Sequence, residues 1–117
     1  MLYTELVKEN IAYEDLMIAR PYNRRMIDEF IAVIIDALIS KSPYVCVDGV
    51  DRPRELVKHN LLRLDYGDME HAINQFEGIT ERIFKKKQYI LTLLYNCKLE
   101  MDSHYTNLVR YHQYGGI

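Results

Sequence analysis

The sequence predicts an all-α fold: a compact bundle of five to six helices with a small β-hairpin or extended excursion near residues 44–50. Apolar residues recur at the three- and four-residue spacing of helices along much of the chain. Only five Gly and three Pro interrupt the 117 residues. One stretch, at 44–50, is instead rich in β-branched residues and carries an Asp-Gly turn signal.

The composition is that of one globular domain, which we expect to span residues 1–117. With 49% apolar and 27% charged residues, a chain of this length can bury a core without metals or disulfides. A net charge of -2 does not favour a dedicated duplex-DNA binder, which usually has a strongly basic face. Charged residues in the first ten positions argue against a signal peptide, and the longest uncharged apolar run, 30–35, is too short to cross a bilayer. We therefore expect a cytoplasmic protein without membrane contact.

The expected centre of the fold is a helix over residues 26–39. Its apolar stripe is wide enough that the helix must be covered on two sides. Asn23 is the expected N-cap, and Pro43 lies beyond its end. A short helix before it, separated by Pro21, would dock on it. The stripe of the central helix comprises Ile27, Phe30, Ile31, Ile34, Ile35 and Leu38, and that of the short helix comprises Tyr13, Leu16 and Met17.

The residues after the central helix predict the hairpin, with Asp48 and Gly49 as its two-residue turn. With about three residues on each side, such a hairpin must lean on the helices. Asp51 as cap and Pro53 in the first turn then indicate a helix that runs to Arg63.

Three further helices are expected in the second half of the chain. The first is capped at Asp65–Asp68 and ends at Gly78; the second spans 85–97; the third is a separate helix capped by Asp102. Their inward residues are predicted to be Met69, Ala72, Ile73 and Phe76, then Tyr89, Ile90, Leu93, Leu94 and Cys97, and finally Tyr105, Leu108 and Val109.

Motifs for metals, cofactors and catalysis are missing from the sequence. The four His and two Cys show no metal-binding spacing, so we expect no metal and no cofactor. Cys46 and Cys97 are flanked by apolar residues and are predicted to be buried free thiols. The acidic set Asp65, Asp68 and Glu70 could hold a cation or transfer protons, but helix capping explains it better. There is no phosphate loop or nucleophile motif, and we expect the protein not to be an enzyme.

One basic run stands out among the surface residues. It contains Arg82, Lys85, Lys86 and Lys87, with Tyr89 beside it, and cations next to aromatic rings are typical of grooves for single-stranded nucleic acid. The alternative, which the sequence favours, is that these lysines solvate the start of a helix. The ten tyrosines also fit a protein interface, since the ring buries area while the hydroxyl stays paired.

Several blocks of sequence, in their order and spacing, resemble a known domain. They include PRELVK at 53–58, QYILTLLYN at 88–96 and DSHYTNLV at 102–109. Together they resemble the C-terminal domain of RepA-type replication initiators, which belong to plasmids and conjugative elements of Firmicutes. The likeness covers nearly the whole chain. It implies an all-helical domain similar to the C-terminal domain of the DnaD replication protein, although Cys97 stands where DnaD proteins have a tryptophan.

The resemblance also implies a function. Such domains connect an origin-bound initiator with the host replisome, and DnaG primase is the implied contact. The winged-helix domain that binds the origin in these initiators is absent from this sequence. The expected function is therefore a non-catalytic protein-interaction domain, with single-stranded DNA binding and homo-oligomerisation as alternatives. The residues predicted to contact a partner are Arg82, Lys85, Lys86, Lys87, Tyr89, Tyr105 and Tyr111.

Overall fold

The computed structural model describes residues 2–79, Ile83 and 85–110, with side chains described as far as Leu99. Within these ranges the chain forms six α-helices, a 3-10 turn and a two-stranded antiparallel sheet. The predicted helical bundle with a small hairpin is confirmed. The elements are α1 (Leu2–Asn10), α2 (Tyr13–Ala19), the 3-10 turn (Pro21–Asn23), α3 (Arg24–Leu38), β1 (Tyr44–Val47), β2 (Val50–Pro53), α4 (Arg54–Leu62), α5 (Tyr66–Glu77) and α6 (Lys86–Arg110).

Helix α3 is the centre of the core, as predicted. It contacts α1, α4 and α6, which together cover more than one of its sides. The helix begins at Arg24, directly after the 3-10 turn, and the Asn23 side chain forms no capping hydrogen bond. Its buried residues are Ile27, Phe30, Ile31, Val33, Ile34, Ala37 and Leu38.

The hairpin turns at Asp48 and Gly49, whose φ angles of 56° and 74° are those of the predicted two-residue turn. It extends further than predicted, because β2 continues to Pro53 and α4 begins only at Arg54. The predicted burial of Cys46 is wrong: its side chain is exposed. Side chains alternate along a strand, so β1 turns Val47 into the core and Cys46 to the outer face.

Helix α5 begins with a complete capping box. The Asp65 carboxylate accepts a hydrogen bond from the backbone N–H of Asp68 at 2.9 Å, and the Asp68 carboxylate accepts one from the N–H of Asp65 at 3.0 Å. This reciprocal pair satisfies two backbone donors that a helix start otherwise leaves unpaired. The predicted start is thereby confirmed, and Gly78 caps the other end in an ordinary right-handed conformation.

Helix α6 corrects two expectations. The separate last helix capped by Asp102 is wrong, because one helix runs from Lys86 to Arg110 through that residue. The segment contains no Gly or Pro to end it, and aspartate in a helix interior is only mildly unfavourable. Tyr89 is also not an inward residue, since 38% of it is exposed. The described part of the chain contains no helix long and apolar enough to cross a membrane.

Replacing Leu94 by alanine tests the assignment of the buried face of α6. Leu94 is fully buried, so Leu94→Ala should lower the free energy of unfolding by about 2–5 kcal/mol, because a cavity remains in the core. Leu99→Ala is the matched control on the same helix. Its side chain is 46% exposed, and a loss of about 0.5 kcal/mol or less is expected. Urea unfolding measures both, and equal losses would mean that the face is assigned incorrectly.

Candidate functional site

The start of α6 is held against the core by a chain of three aromatic rings. The Phe30 and Phe76 rings meet edge to face with centroids 5.6 Å apart, and the Phe76 and Tyr89 rings do so at 6.1 Å. Edge-to-face pairs are favourable because the positive edge of one ring faces the negative face of the other. Phe30 is fully buried while Tyr89 is partly exposed, so the chain of rings leads from the core to the surface.

The predicted lysines lie on this surface, but two of them are paired within the molecule. The Lys86 ammonium is 2.6 Å from the Glu29 carboxylate, and that of Lys87 is 3.9 Å from Asp36; both acids belong to α3. Lys85 is exposed at the start of the helix. The basic run therefore helps to hold α6 against α3. The sequence-based interpretation, in which these lysines only solvate the start of a helix, did not include these ion pairs.

A cleft of about 230 Å³ opens beside this helix start. Its walls come from the second half of α3, from β1 and from the first two turns of α6, and they are mainly apolar. The ion pair between Asp36 and Lys87 lies at its rim. The lining residues are Val33, Asp36, Ala37, Ser40, Val45, Lys87, Gln88 and Leu91.

The structure brings together only some of the predicted partner-contacting residues. Lys85, Lys86, Lys87 and Tyr89 are all exposed and lie within the first turns of α6 or directly before it. Arg82 and Tyr111 lie outside the described residues, and for Tyr105 only the helical backbone is described. On a rise of 1.5 Å per residue, Tyr105 lies about 24 Å along the helix from Tyr89. The two tyrosines therefore do not belong to one compact site.

A buried ion pair between α5 and α6 was not predicted from the sequence. The Lys98 ammonium donates to the Asp68 carboxylate at 2.9 Å, and the Cys97 thiol donates to the Asp68 carbonyl oxygen at 3.1 Å. Only 9% of the Lys98 side chain and 2% of the Asp68 side chain are exposed. Lys98 follows Leu94 by four residues and so lies on the buried face of the helix. This spacing is the sequence pattern from which the burial of Lys98 could have been predicted.

The surroundings of Asp68 explain why its carboxylate has a structural role. Burial raises the pKa of its carboxyl group, while the hydrogen bonds from Lys98 and from the Asp65 backbone oppose that rise. All of these partners belong to the fold, and the carboxylate also completes the capping box. Among the described residues, no cluster of three His, Cys, Asp or Glu side chains could hold a metal ion.

A second depression, of about 270 Å³, lies between α1 and α2. Most of the residues around it carry polar or charged side chains, and the Lys8 ammonium lies 4.4 Å from the centroid of the Tyr13 ring. The Tyr13 hydroxyl donates to Asp28 at 2.7 Å, and this bond, with burial, raises the pKa of Tyr13 to about 12. The phenol therefore stays protonated at neutral pH and holds α2 against α3.

Comparison with known protein families gives a match over nearly the whole chain. A family of unknown function (DUF6017) matches residues 1–116. The chain belongs to this family. No curated protein and no solved structure matches it. Since the DUF6017 description assigns no activity, the resemblance to RepA-type initiators stays a prediction for this family member.

Removing Lys98 tests whether the buried ion pair of this DUF6017 domain is structural. Lys98→Met leaves the Asp68 carboxylate buried without its cation, so the free energy of unfolding should fall by about 3–5 kcal/mol at pH 7. Lys86→Met removes a half-exposed ion pair from the same helix and should cost about 1 kcal/mol or less. Urea unfolding measures both variants.

The pH dependence of the Lys98→Met loss has a definite sign. Without the ammonium, the pKa of folded Asp68 rises further above its unfolded value, so the folded state binds a proton more firmly than the unfolded state. The contribution of Asp68 to the free energy of unfolding of the variant is then largest at low pH. It is lost as the pH rises through the pKa of the folded state. The deficit relative to the parent protein should therefore shrink on acidification. A deficit that is the same at pH 4 and pH 7 would contradict this account.

Proposed function

We propose that this domain is a non-catalytic, cytoplasmic protein-interaction domain of a plasmid replication initiator, which recruits a replisome component such as DnaG primase. The order and spacing of the blocks that resemble RepA-type initiators support the proposal. The observation that carries it is the surface at the start of α6, where exposed Lys85 and partly exposed Tyr89 lie one helical turn apart and the Tyr89 ring packs on Phe76.

The chemistry of this surface suits a protein partner. Tyrosine is enriched at binding hot spots, because a ring with few rotatable bonds buries much area at small entropic cost. The ring of Tyr89 is already oriented by its contact with Phe76, so little ordering is needed upon binding. Lys85 at the edge can attract an acidic partner and accelerate association.

Single-stranded DNA is the alternative ligand, and the ion pairs argue against it. A DNA groove needs cations that are available to phosphates, and each phosphate contact adds to the salt dependence of binding. Here the carboxylates of Glu29 and Asp36 already lie beside Lys86 and Lys87. Within the described residues, Tyr89 is the aromatic residue next to the basic run. Its ring already packs against the ring of Phe76 in an edge-to-face contact.

Two variants test the proposed surface by the kinetics of DnaG binding. Tyr89→Ala should raise the dissociation rate constant about tenfold or more, because it removes a central contact. Lys85→Gln should mainly lower the association rate constant, because edge charges steer encounter. Biolayer interferometry with immobilised domain measures both constants.

Matched controls for these variants lie on other faces of the domain. Tyr22, on the 3-10 turn, is 99% exposed, and Lys58 lies on α4 over the Tyr3 ring. Tyr22→Ala and Lys58→Gln should leave both rate constants unchanged. If DnaG fails to bind the parent domain while a single-stranded oligonucleotide binds with a steep loss of affinity in salt, the DNA alternative replaces this proposal.

A further inference from the structure

Two carboxylates of α3 lie among the cations at the start of α6. Glu29 and Asp36 are seven residues apart, so they fall on the same face of α3, about 10 Å from each other along the helix axis. Glu29 lies 2.6 Å from the Lys86 ammonium, and Asp36 lies 3.9 Å from that of Lys87. Each acid is therefore next to one lysine of the basic run.

Glu29 also has a second cation beside it. Arg25 precedes it by one helical turn, and the Nε of Arg25 lies 3.7 Å from the Glu29 carboxylate, which is too far for a hydrogen bond. The Arg25 side chain is 95% exposed. Lys85 is exposed as well and forms no ion pair with any described residue. Arg25 and Lys85 thus keep N–H groups available to an outside anion.

These side chains form the positive part of an acidic protein. We call Arg25, Lys85–Lys87, Glu29 and Asp36 together the basic surface; its four cations and two carboxylates give a charge of +2. The chain has 15 Lys and Arg and 17 Asp and Glu, so 11 cations and 15 acids remain elsewhere, with a charge of -4. A polyanion would therefore approach the domain at the basic surface, where Glu29 and Asp36 halve the charge that it meets.

The two carboxylates add little to the stability of the fold. Lys86 and Lys87 are both at least half-exposed, and solvent and salt weaken exposed ion pairs. The start of α6 is held mainly by the burial of Ile90 and by the contact between the rings of Tyr89 and Phe76. The main effect of Glu29 and Asp36 is therefore on the electrostatic potential of the surface.

We propose that Glu29 and Asp36 are specificity-determining residues that exclude polyanions, and single-stranded nucleic acid in particular, from the basic surface. The backbone of a nucleic acid carries only negative charges, so it brings no cation to either carboxylate. Its phosphates would compete with Glu29 for Lys86 and Arg25 and would be repelled by both acids. Like-charge contacts of this kind disfavour a wrong ligand more than a right one.

A protein surface avoids this repulsion, because it can place a cation opposite each carboxylate and an acid opposite each lysine. The basic surface alternates in sign along α3, from Arg25 to Glu29, and each acid lies beside a lysine of α6. Its complement is therefore a partner with mixed charges. This inference deepens the proposed function, on which it rests for the identity of the ligand that is admitted.

Neutralising both acids tests the proposal. Glu29→Gln with Asp36→Asn keeps polar side chains of similar size and doubles the charge of the basic surface. We expect this variant to bind a single-stranded oligothymidylate of about 16 nucleotides at least about tenfold more tightly than the parent does at low salt. With about three or four phosphates neutralised, the logarithm of the binding constant should fall with the logarithm of the salt concentration at a slope of about -2 to -3. Fluorescence anisotropy measures both quantities.

Three further variants separate the position of the charges from other effects. Glu14→Gln with Asp15→Asn changes the net charge equally, but on α2 and outside the basic surface. Glu29→Asp with Asp36→Glu alters the side-chain lengths and retains both charges. Neither should gain affinity for the oligonucleotide. Asp36→Asn alone, at a side chain that is 63% exposed, should give part of the gain. Circular dichroism melting verifies that each variant is folded.

The possible results distinguish this inference from the proposed function. An unchanged affinity of the neutralised variants would overturn the inference. So would an equal gain in the α2 variant or in the variant that retains both charges, because the position of the carboxylates would then not be the cause. Tight binding of the oligonucleotide by the parent chain would overturn both proposals. A gain by the neutralised variants in a domain that does not bind primase would uphold the exclusion of polyanions and contradict the proposed recruitment alone.

Discussion

The burial of α3 is the constraint on which the rest of the structure depends. Seven of its fifteen residues are buried, and they lie around more than one face. One neighbouring helix could not cover them, so α1, α4 and α6 must each pack against α3. Because apolar area removed from water is the main favourable term in folding, this packing fixes the position of the first turns of α6. The aromatic chain and the two ion pairs to Glu29 and Asp36 then set the orientation of the exposed residues there.

Much of the fold could be predicted because its signals are local. The stripe of α3, the capping box at Asp65 and the Asp48–Gly49 turn each depend on residues within one or two turns of chain. The errors arose where a local signal competes with its surroundings. Aspartate is a preferred N-cap residue, yet nothing near Asp102 ends α6. Cys46 is apolar, yet the alternation of side chains along β1 exposes it.

The candidate site could be predicted less well, because it is made of contacts between distant residues. The sequence located Lys85–Lys87 and Tyr89, but their pairing with acids of α3 joins residues more than fifty positions apart. The ion pair of Asp68 and Lys98 and the cleft beside β1 are likewise formed by residues that are far apart in the sequence. Periodicity reports which face of a helix is buried; it does not report which element covers that face or what remains open beside it.

The central claim is that the start of α6 is the surface that docks a replisome protein. It is tested most directly by amide chemical-shift mapping of the ¹⁵N-labelled domain during titration with unlabelled DnaG. The account predicts that the largest perturbations fall on the amides of Lys85–Tyr89 and of Phe76, while the exposed 3-10 turn at Pro21–Asn23 stays unchanged. Perturbations confined to that turn or to α1 would contradict the account, as would a spectrum that primase leaves unaltered.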